Sequence, residues 1–70
     1  MKQRQINDRG LALAIAAAGS VQELADRIGV SRQAIYLWDR IPAERIPRVA
    51  RATGLKPRVL RPDLYQEAAE

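Results

Sequence analysis

Apolar residues recur every three or four positions along most of this chain, which is the spacing of helices that bury one face. The four predicted core stripes are Leu11, Ala14, Ile15 and Ala18; Val21, Leu24, Ala25 and Ile28; Ala34, Ile35 and Trp38; and Ile46, Val49, Ala50 and the polar Thr53. No stretch shows the two-residue alternation of a half-buried strand. The pattern predicts an all-α fold, a compact bundle of four to five helices.

Capping residues place the ends of these helices. Asn7 is a suitable N-cap for the first helix, and Ser20 and Ser31 for the second and third, because their side-chain oxygens accept backbone N–H groups. Ser20 stands three residues before Glu23, the spacing of a capping box. Glycines that can end helices are Gly19, Gly29 and Gly54. The third helix should cover about residues 31–39, and the fourth about 46–53.

The segment after Gly54 contains two prolines, which limit regular structure. It is predicted to be irregular or to form a short fifth helix. Its apolar residues, predicted to contact the core, are Leu55, Val59 and Leu60.

The second and third helices are spaced as a helix-turn-helix. The small Ala25 allows a close helix crossing, and Gly29, four residues later, suits a turn with positive φ. Ile35 follows six residues after Gly29 and should pack back onto the second helix. The predicted core of the motif consists of Leu24, Ala25, Ile28, Gly29, Ile35 and Trp38.

Composition excludes several function classes. The chain has 70 residues, enough for one small domain, and contains no cysteine or histidine, so disulfides and the usual zinc sites are excluded. We expect no metal, no cofactor and no small-molecule substrate. Scattered carboxylates and the lack of a glycine-rich phosphate loop argue against an enzyme. The longest apolar run is too short to span a bilayer, so we expect a cytoplasmic protein without a membrane partner.

Charge is distributed unevenly. The net charge is +4, but residues 1–62 hold all 12 Lys and Arg and only five acids, whereas 63–70 hold three acids. Ten of the cations are Arg, which forks onto phosphate and guanine. We therefore expect a polyanion partner, and we divide the chain into a flexible basic arm (1–6), a helix-turn-helix domain (7–65) and an acidic tail (66–70).

The third helix carries the candidate base-reading side chains for the major groove of double-stranded DNA. They are Ser31, Arg32, Gln33, Tyr36 and Leu37. Gln33 can pair with adenine and Arg32 with guanine, although either could contact phosphate instead. Ser31 also serves as a helix cap. Leu37 either touches a thymine methyl group or packs against the fourth helix.

A second set of side chains could bind backbone phosphates. They are Gln22, Arg40, Arg45, Lys2 and Arg4. Arg40 and Arg45 could instead form surface ion pairs with Asp39 or Glu44, which would contribute little. The arm that holds Lys2 and Arg4 could also make no contact. Outer cations of the fourth helix, Arg48 and Arg51, are expected to be solvated or to lie at the rim of a dimer interface.

Five sequence blocks in a fixed order resemble a known family. They are residues 25–35 (ADRIGVSRQAI), Trp38, 41–45 (IPAER), 51–54 (RATG) and 61–65 (RPDLY). Over about residues 11–65 the chain resembles the Cro-like, YdaS-type branch of the phage repressor helix-turn-helix family. The resemblance implies a lambda-repressor-like bundle that binds operator DNA, often as a dimer. The segment 56–60 departs from the pattern, which leaves the mode of association open.

Two functional hypotheses follow. The first is a sequence-specific, double-stranded DNA-binding transcriptional regulator, a homodimeric repressor of prophage origin that is found on the nucleoid. The second is an antitoxin or anti-regulator that binds a toxin or regulator protein, with or without autoregulatory DNA binding. The alanine-rich first helix and the segment 60–65 would be the surfaces for such a partner.

Overall fold

The structure, a computed structural model, describes residues 8–65, and this range contains helices and no strand. The elements are α1 (Arg9–Ala18), α2 (Val21–Ile28), α3 (Arg32–Leu37), a 3₁₀ helix (Ala43–Arg45), α4 (Ile46–Thr53) and α5 (Pro57–Leu60). The all-α bundle predicted from the apolar spacing is confirmed. The predicted arm 1–6, the candidate cap Asn7 and the predicted tail 66–70 lie outside the described residues.

Side-chain caps begin the first three helices. The Oγ of Ser20 accepts from the backbone N–H of Glu23 at 3.1 Å, and the Oγ of Ser31 accepts from Ala34 at 3.1 Å, as predicted. The first helix differs from the prediction, because its N-cap is Asp8 and not Asn7. The Asp8 carboxylate accepts from the backbone N–H of Leu11 at 2.9 Å and is the stronger partner for the positive end of the helix.

One apolar core joins the helices. Its fully buried large side chains are Leu11, Leu24, Ile28, Ile35, Ile41, Ile46, Val49 and Leu60. No polar or charged side chain of residues 8–65 is buried. Each large aliphatic residue contributes roughly 1.5–3 kcal/mol through burial, so the core provides most of the favourable free energy of folding.

The turn of the helix-turn-helix is left-handed at Gly29, with φ 76° and ψ 33°. The backbone N–H groups of Gly29 and Val30 both donate to the carbonyl of Ala25, at 2.9 and 3.0 Å. Ala25 is fully buried where the two helices meet. Gly29 itself is exposed, so it serves the motif as a turn residue and not as a core residue.

The third helix is shorter than predicted. It ends at Leu37, and Trp38 adopts an extended conformation with φ −75° and ψ 131°. Trp38 is half-buried and packs against the edge of the core, so its assignment to the core interior was only partly correct. The early exit from the helix lets Ile41 become fully buried.

The carboxyl-terminal segment packs on α1 and α4. Leu60 is fully buried and Leu55 is partly buried against the core, but Val59 is 36% exposed, so its predicted core role was wrong. Gly10 of α1 is buried directly against this segment. A Cβ at position 10 would collide with the carbonyl oxygen of Leu60.

A charged contact, here termed the Arg61–Asp63 clamp, ties this segment to the loop after α3. Arg61 donates through Nη1 to the carbonyl of Ile41 at 2.6 Å, and through Nε and Nη2 to Asp63 at 2.9 and 2.7 Å. The Arg61 side chain is only 12% exposed. Hydrogen bonding from Arg61 lowers the pKa of Asp63 from 3.8 to about 2, and raises the pKa of Arg61.

Replacing Gly10 by Ala is expected to destabilise the fold. Overpacking costs about 1–3 kcal/mol, and the obstacle is the backbone at Leu60, which cannot rotate away. Helix propensity alone would instead favour Ala by about 1 kcal/mol. Chemical denaturation should therefore give Gly10→Ala a lower free energy of unfolding than the wild type. Ala12→Gly, at an exposed position of α1, measures the propensity difference alone. A Gly10→Ala variant as stable as the wild type would contradict the close approach.

The Arg61–Asp63 clamp should make stability depend on pH in the acidic range. Asp63 has a lower pKa in the folded state, so its contribution is fully present above about pH 4 and disappears as the pH falls through about 2. Asp63→Asn should lower the melting temperature at pH 6, and its difference from the wild type should shrink between pH 4 and 2. Glu44→Gln, a surface charge change outside the clamp, should show no such convergence. A constant difference at all pH values would disprove the clamp.

Candidate nucleic-acid interface

The buried residues of α3 show which side of the helix faces outward. Ile35 is fully buried and Ala34 is half-buried. A helix turns about 100° per residue, so Arg32, Gln33, Tyr36 and Leu37 occupy an arc of roughly 140° on the opposite side. Arg32, Gln33 and Leu37 are exposed, in agreement with this register, whereas Tyr36 is half-buried.

The leading end of this face is polar and accessible. Arg32 and Gln33 are both exposed and form the first turn of α3. Among the described helices, α3 packs only against α2, so no neighbouring helix covers its outer side. An α-helix with its side chains is about 10–12 Å across, which fits within a major groove about 12 Å wide.

Two of the candidate base-reading residues, Ser31 and Leu37, also had alternative structural roles. Ser31 uses its hydroxyl oxygen to cap the helix, where it accepts from Ala34. Leu37 is 74% exposed, so it does not pack against α4 as one alternative had it. Tyr36 is half-buried at the centre of the face. The structure thus leaves an apolar side chain, Leu37, beside the polar pair Arg32 and Gln33.

Gln22 lies at the first turn of α2, exposed to solvent. Its side-chain amide donates to the carboxylate of Asp26 at 2.9 Å, one turn along the same helix. Asp26 places a negative charge close to the amide, which disfavours an approaching phosphate. Gln22 is therefore less suited to an anion contact than its position in the sequence indicated, although its second amide hydrogen is still a donor.

The two arginines after α3 differ in accessibility. Arg40 has a 54% exposed side chain and lies 3.4 Å from the carboxylate of Asp63, a partner that the sequence pattern did not identify. Arg45 is half-buried where the 3₁₀ helix meets α4. Arg40 is consequently the better placed cation beside α3. Lys2 and Arg4 lie outside the described residues.

Sequence reasoning missed Asp63 and Arg61, which orient the region around Arg40. The pairing of Arg61 with Asp63 spans two residues, and that short spacing is the signal that could have revealed it. The contact between Arg40 and Asp63 joins positions 23 residues apart, and no local pattern indicates it. The carboxylate both holds Arg40 and offsets part of its charge.

Residues 8–65 present no group of three or more acidic side chains that could hold a metal ion. In the same range, no helix has the length and apolar character needed to cross a bilayer. The α3 face offers hydrogen bonding and charge. Its functional groups are a guanidinium, an amide and a phenol, which lie next to one apolar side chain.

Comparison with known proteins places the chain in a family. A family described as Bacterial toxin YdaS matches residues 11–69. The fold is similar to the solved structure of the Cro protein from the putative prophage element Xfaso 1 in Xylella fastidiosa strain Ann-1. That match has 37% sequence identity and a TM-score of 0.76, and it covers 86% of this chain and 100% of the Cro chain. A search of curated proteins gave no significant match. Because the family match spans most of the chain and the structural match is to a Cro protein, this chain belongs to the YdaS family, in its Cro-like branch.

Proposed function

We propose that this protein is a sequence-specific, double-stranded DNA-binding transcriptional regulator that represses a promoter of prophage origin. The observation that carries the proposal is the exposed face of α3, with Arg32 and Gln33 at its leading end. The likeness to a prophage Cro protein supports it. Promoter occupancy would place the protein on the nucleoid in the cytoplasm.

In this proposal α3 enters the major groove with its amino-terminal turn foremost. The amide of Gln33 can donate to and accept from an adenine edge, and the fork of Arg32 can donate twice to guanine. Leu37, which is 74% exposed, suits the methyl group of thymine. Tyr36 lies between them and can contact a base edge or a phosphate.

Arg40 supplies a phosphate contact beside the reading helix. It follows α3 directly and is 54% exposed, and its 3.4 Å contact with Asp63 is long enough to be exchanged for a phosphate oxygen. Such contacts set affinity and register but do not select sequence. The second candidate, Arg45, is less accessible.

A homodimer completes the proposal. One α3 covers only a few base pairs, which is too few to define an operator. Two copies related by a twofold axis would read half-sites of a pseudo-palindrome about one helical turn apart.

A protein partner is the second candidate function, since the family is described as a bacterial toxin. The exposed apolar side chains near the carboxyl terminus, which could bind a toxin or regulator, are Val59, Leu64 and Tyr65. Leu60, part of the segment considered for this role, is buried and unavailable. Isolation of a stoichiometric protein complex, together with no DNA retardation at low salt, would favour this function over the first.

Replacement of Gln33 by Ala tests base reading. A preferred site is first selected from a random duplex pool with the wild type. The variant should then lose about 1–3 kcal/mol of binding free energy on that site and little on random DNA, because only the base contact disappears. Mobility-shift titrations at fixed salt give both values. An equal loss on both DNAs would reject a base-reading role for Gln33.

Replacement of Arg40 by Ala tests the phosphate contact. Binding should weaken to a similar extent on the selected site and on random DNA, and the slope of log K against log salt should fall by about one. Arg58→Ala is the matched control, since α5 packs on α1 and α4 and not on α3. If Arg40→Ala and Arg58→Ala gave the same slope, Arg40 would have no special contact with DNA.

A further inference from the structure

Three arginines outside the α3 face line one open depression. The depression has a volume of about 340 Å³ and lies between the end of α2 and the outer side of α4. Its lining consists of Arg27, Arg48, Arg51 and Ala52. We refer to Arg27, Arg48 and Arg51 as the arginine triad. Neither the base-reading face nor the Arg61–Asp63 clamp uses any of these side chains.

Two members of the triad are held by reciprocal contacts between the helices. Arg27 of α2 donates through Nη1 to the carbonyl of Ala52, and Arg48 of α4 donates through Nη1 to the carbonyl of Ile28, each at 3.4 Å. Each contact uses one of the five N–H donors of a guanidinium. The remaining donors are available at the rim of the depression, on side chains that already have a partial anchor.

The charge of the triad is not neutralised within the described residues. No acidic side chain lines the depression, and no ion pair in residues 8–65 involves any of the three arginines. Arg40 and Arg61 are different, since both contact Asp63. Three cations of like sign therefore converge around one concave surface.

Helix electrostatics accounts for only part of this arrangement. Arg27 lies in the last turn of α2 and Arg51 in the last turn of α4, where a cation is favourable beside the free carbonyl groups. Arg48 lies near the start of α4, but its guanidinium reaches the carbonyl of Ile28 at the carboxyl end of α2, so it also lies beside a helix end. Helix-end contacts explain why Arg27 and Arg48 converge, but they do not explain why Arg51 lies beside two like charges.

The triad faces a different direction from the reading surface. Arg48 and Arg51 belong to α4, which has no contact with α3 among the described residues. The Arg27 side of α2 is the side in contact with α4. A ligand in the depression would therefore leave the outer face of α3 free.

We propose that the arginine triad is a binding site for phosphoryl oxyanions. Guanidinium forks match the oxygens of a phosphate group with two parallel hydrogen bonds, and three of them can hold more than one such group. Among residues 8–65 the apolar lining consists of Ala52, which is too small to hold an apolar ligand. Two sources supply this chemistry: the phosphate backbone of DNA beyond the groove that α3 occupies, and a soluble phosphorylated small molecule. Binding of DNA phosphates at the triad rests on the proposed function, whereas binding of a soluble phosphorylated molecule does not.

The test uses the full chain and three proteins besides the wild type. Arg51→Gln alters a side chain that takes part in no hydrogen bond within residues 8–65, so it keeps the contacts between α2 and α4. The triple variant Arg27→Gln, Arg48→Gln, Arg51→Gln removes the whole site. Arg58→Gln, on α5 outside the depression, is the control for loss of one positive charge. Thermal melting first confirms that each variant is folded.

Two measurements separate the sources. If the source is soluble, calorimetric titration with sodium pyrophosphate should show binding to the wild type and to Arg58→Gln. The affinity should be lower for Arg51→Gln and at least tenfold lower for the triple variant. If DNA is the source, the slope of log K against log salt should fall by roughly two to three in the triple variant and by about one in Arg51→Gln. Either result, or both together, supports the site.

The proposal is overturned if the triad variants match Arg58→Gln in both pyrophosphate binding and salt slope. This failure can be told apart from failure of the proposed function. Sequence preference is measured separately with Gln33→Ala, and it can survive when the triad binds nothing. Conversely, loss of sequence preference with intact pyrophosphate binding would contradict the proposed function and still support the arginine triad as a binding site.

Discussion

Burial of Ile35 against α2 is the contact on which the rest of the site depends. An isolated helix of six residues is unstable in water, so α3 has no orientation of its own. Ile35 is fully buried with Leu24 and Ile28, and this fixes the rotation of α3 about its axis. Arg32 and Gln33 then face outward because of their register relative to Ile35. The capping hydrogen bond of Ser31 fixes the start of the helix in the same way.

The end of α3 has a comparable effect on the surroundings of Arg40. The chain leaves the helix at Trp38, and Ile41 enters the core three residues later. The Ile41 carbonyl then accepts from Arg61, whose other donors hold Asp63 close to Arg40. The carboxyl-terminal segment thus places a carboxylate 3.4 Å from Arg40, which offsets part of the charge of this arginine.

The parts of this fold that depend on local pattern could be predicted from the sequence. The helix Ile46–Thr53 was predicted with its observed bounds because proline at its start and glycine after its end are local signals. The end of α3 was missed because Trp38 fits the apolar spacing equally well inside or just beyond the helix. Asp8 and Asn7 have similar capping preferences, so spacing alone could not select between them.

Contacts between distant residues were not predictable from such patterns. Gly10 carries no local sign that the backbone at Leu60 approaches it, since a glycine inside a helix is otherwise merely unfavourable. On the candidate site, register predicted the exposure of Arg32, Gln33 and Leu37, but not the partial burial of Tyr36. The pairing of Arg40 with Asp63 and the convergence of the arginine triad depend on how separate elements pack, and that information is tertiary.

The abundance of arginine has more than one physical origin, which changes what composition indicates about function. Arg61 binds a carbonyl and both oxygens of a carboxylate at once, a task that needs the planar fork of a guanidinium and that lysine cannot perform. Arg27 and Arg48 each bind a backbone carbonyl of the other helix. These arginines therefore stabilise helix packing whether or not the chain meets a polyanion. The excess of arginine over lysine is weaker support for nucleic-acid binding than it first appeared. The stronger support is spatial: Arg32 is exposed at the leading end of α3 and makes no ion pair within the described residues.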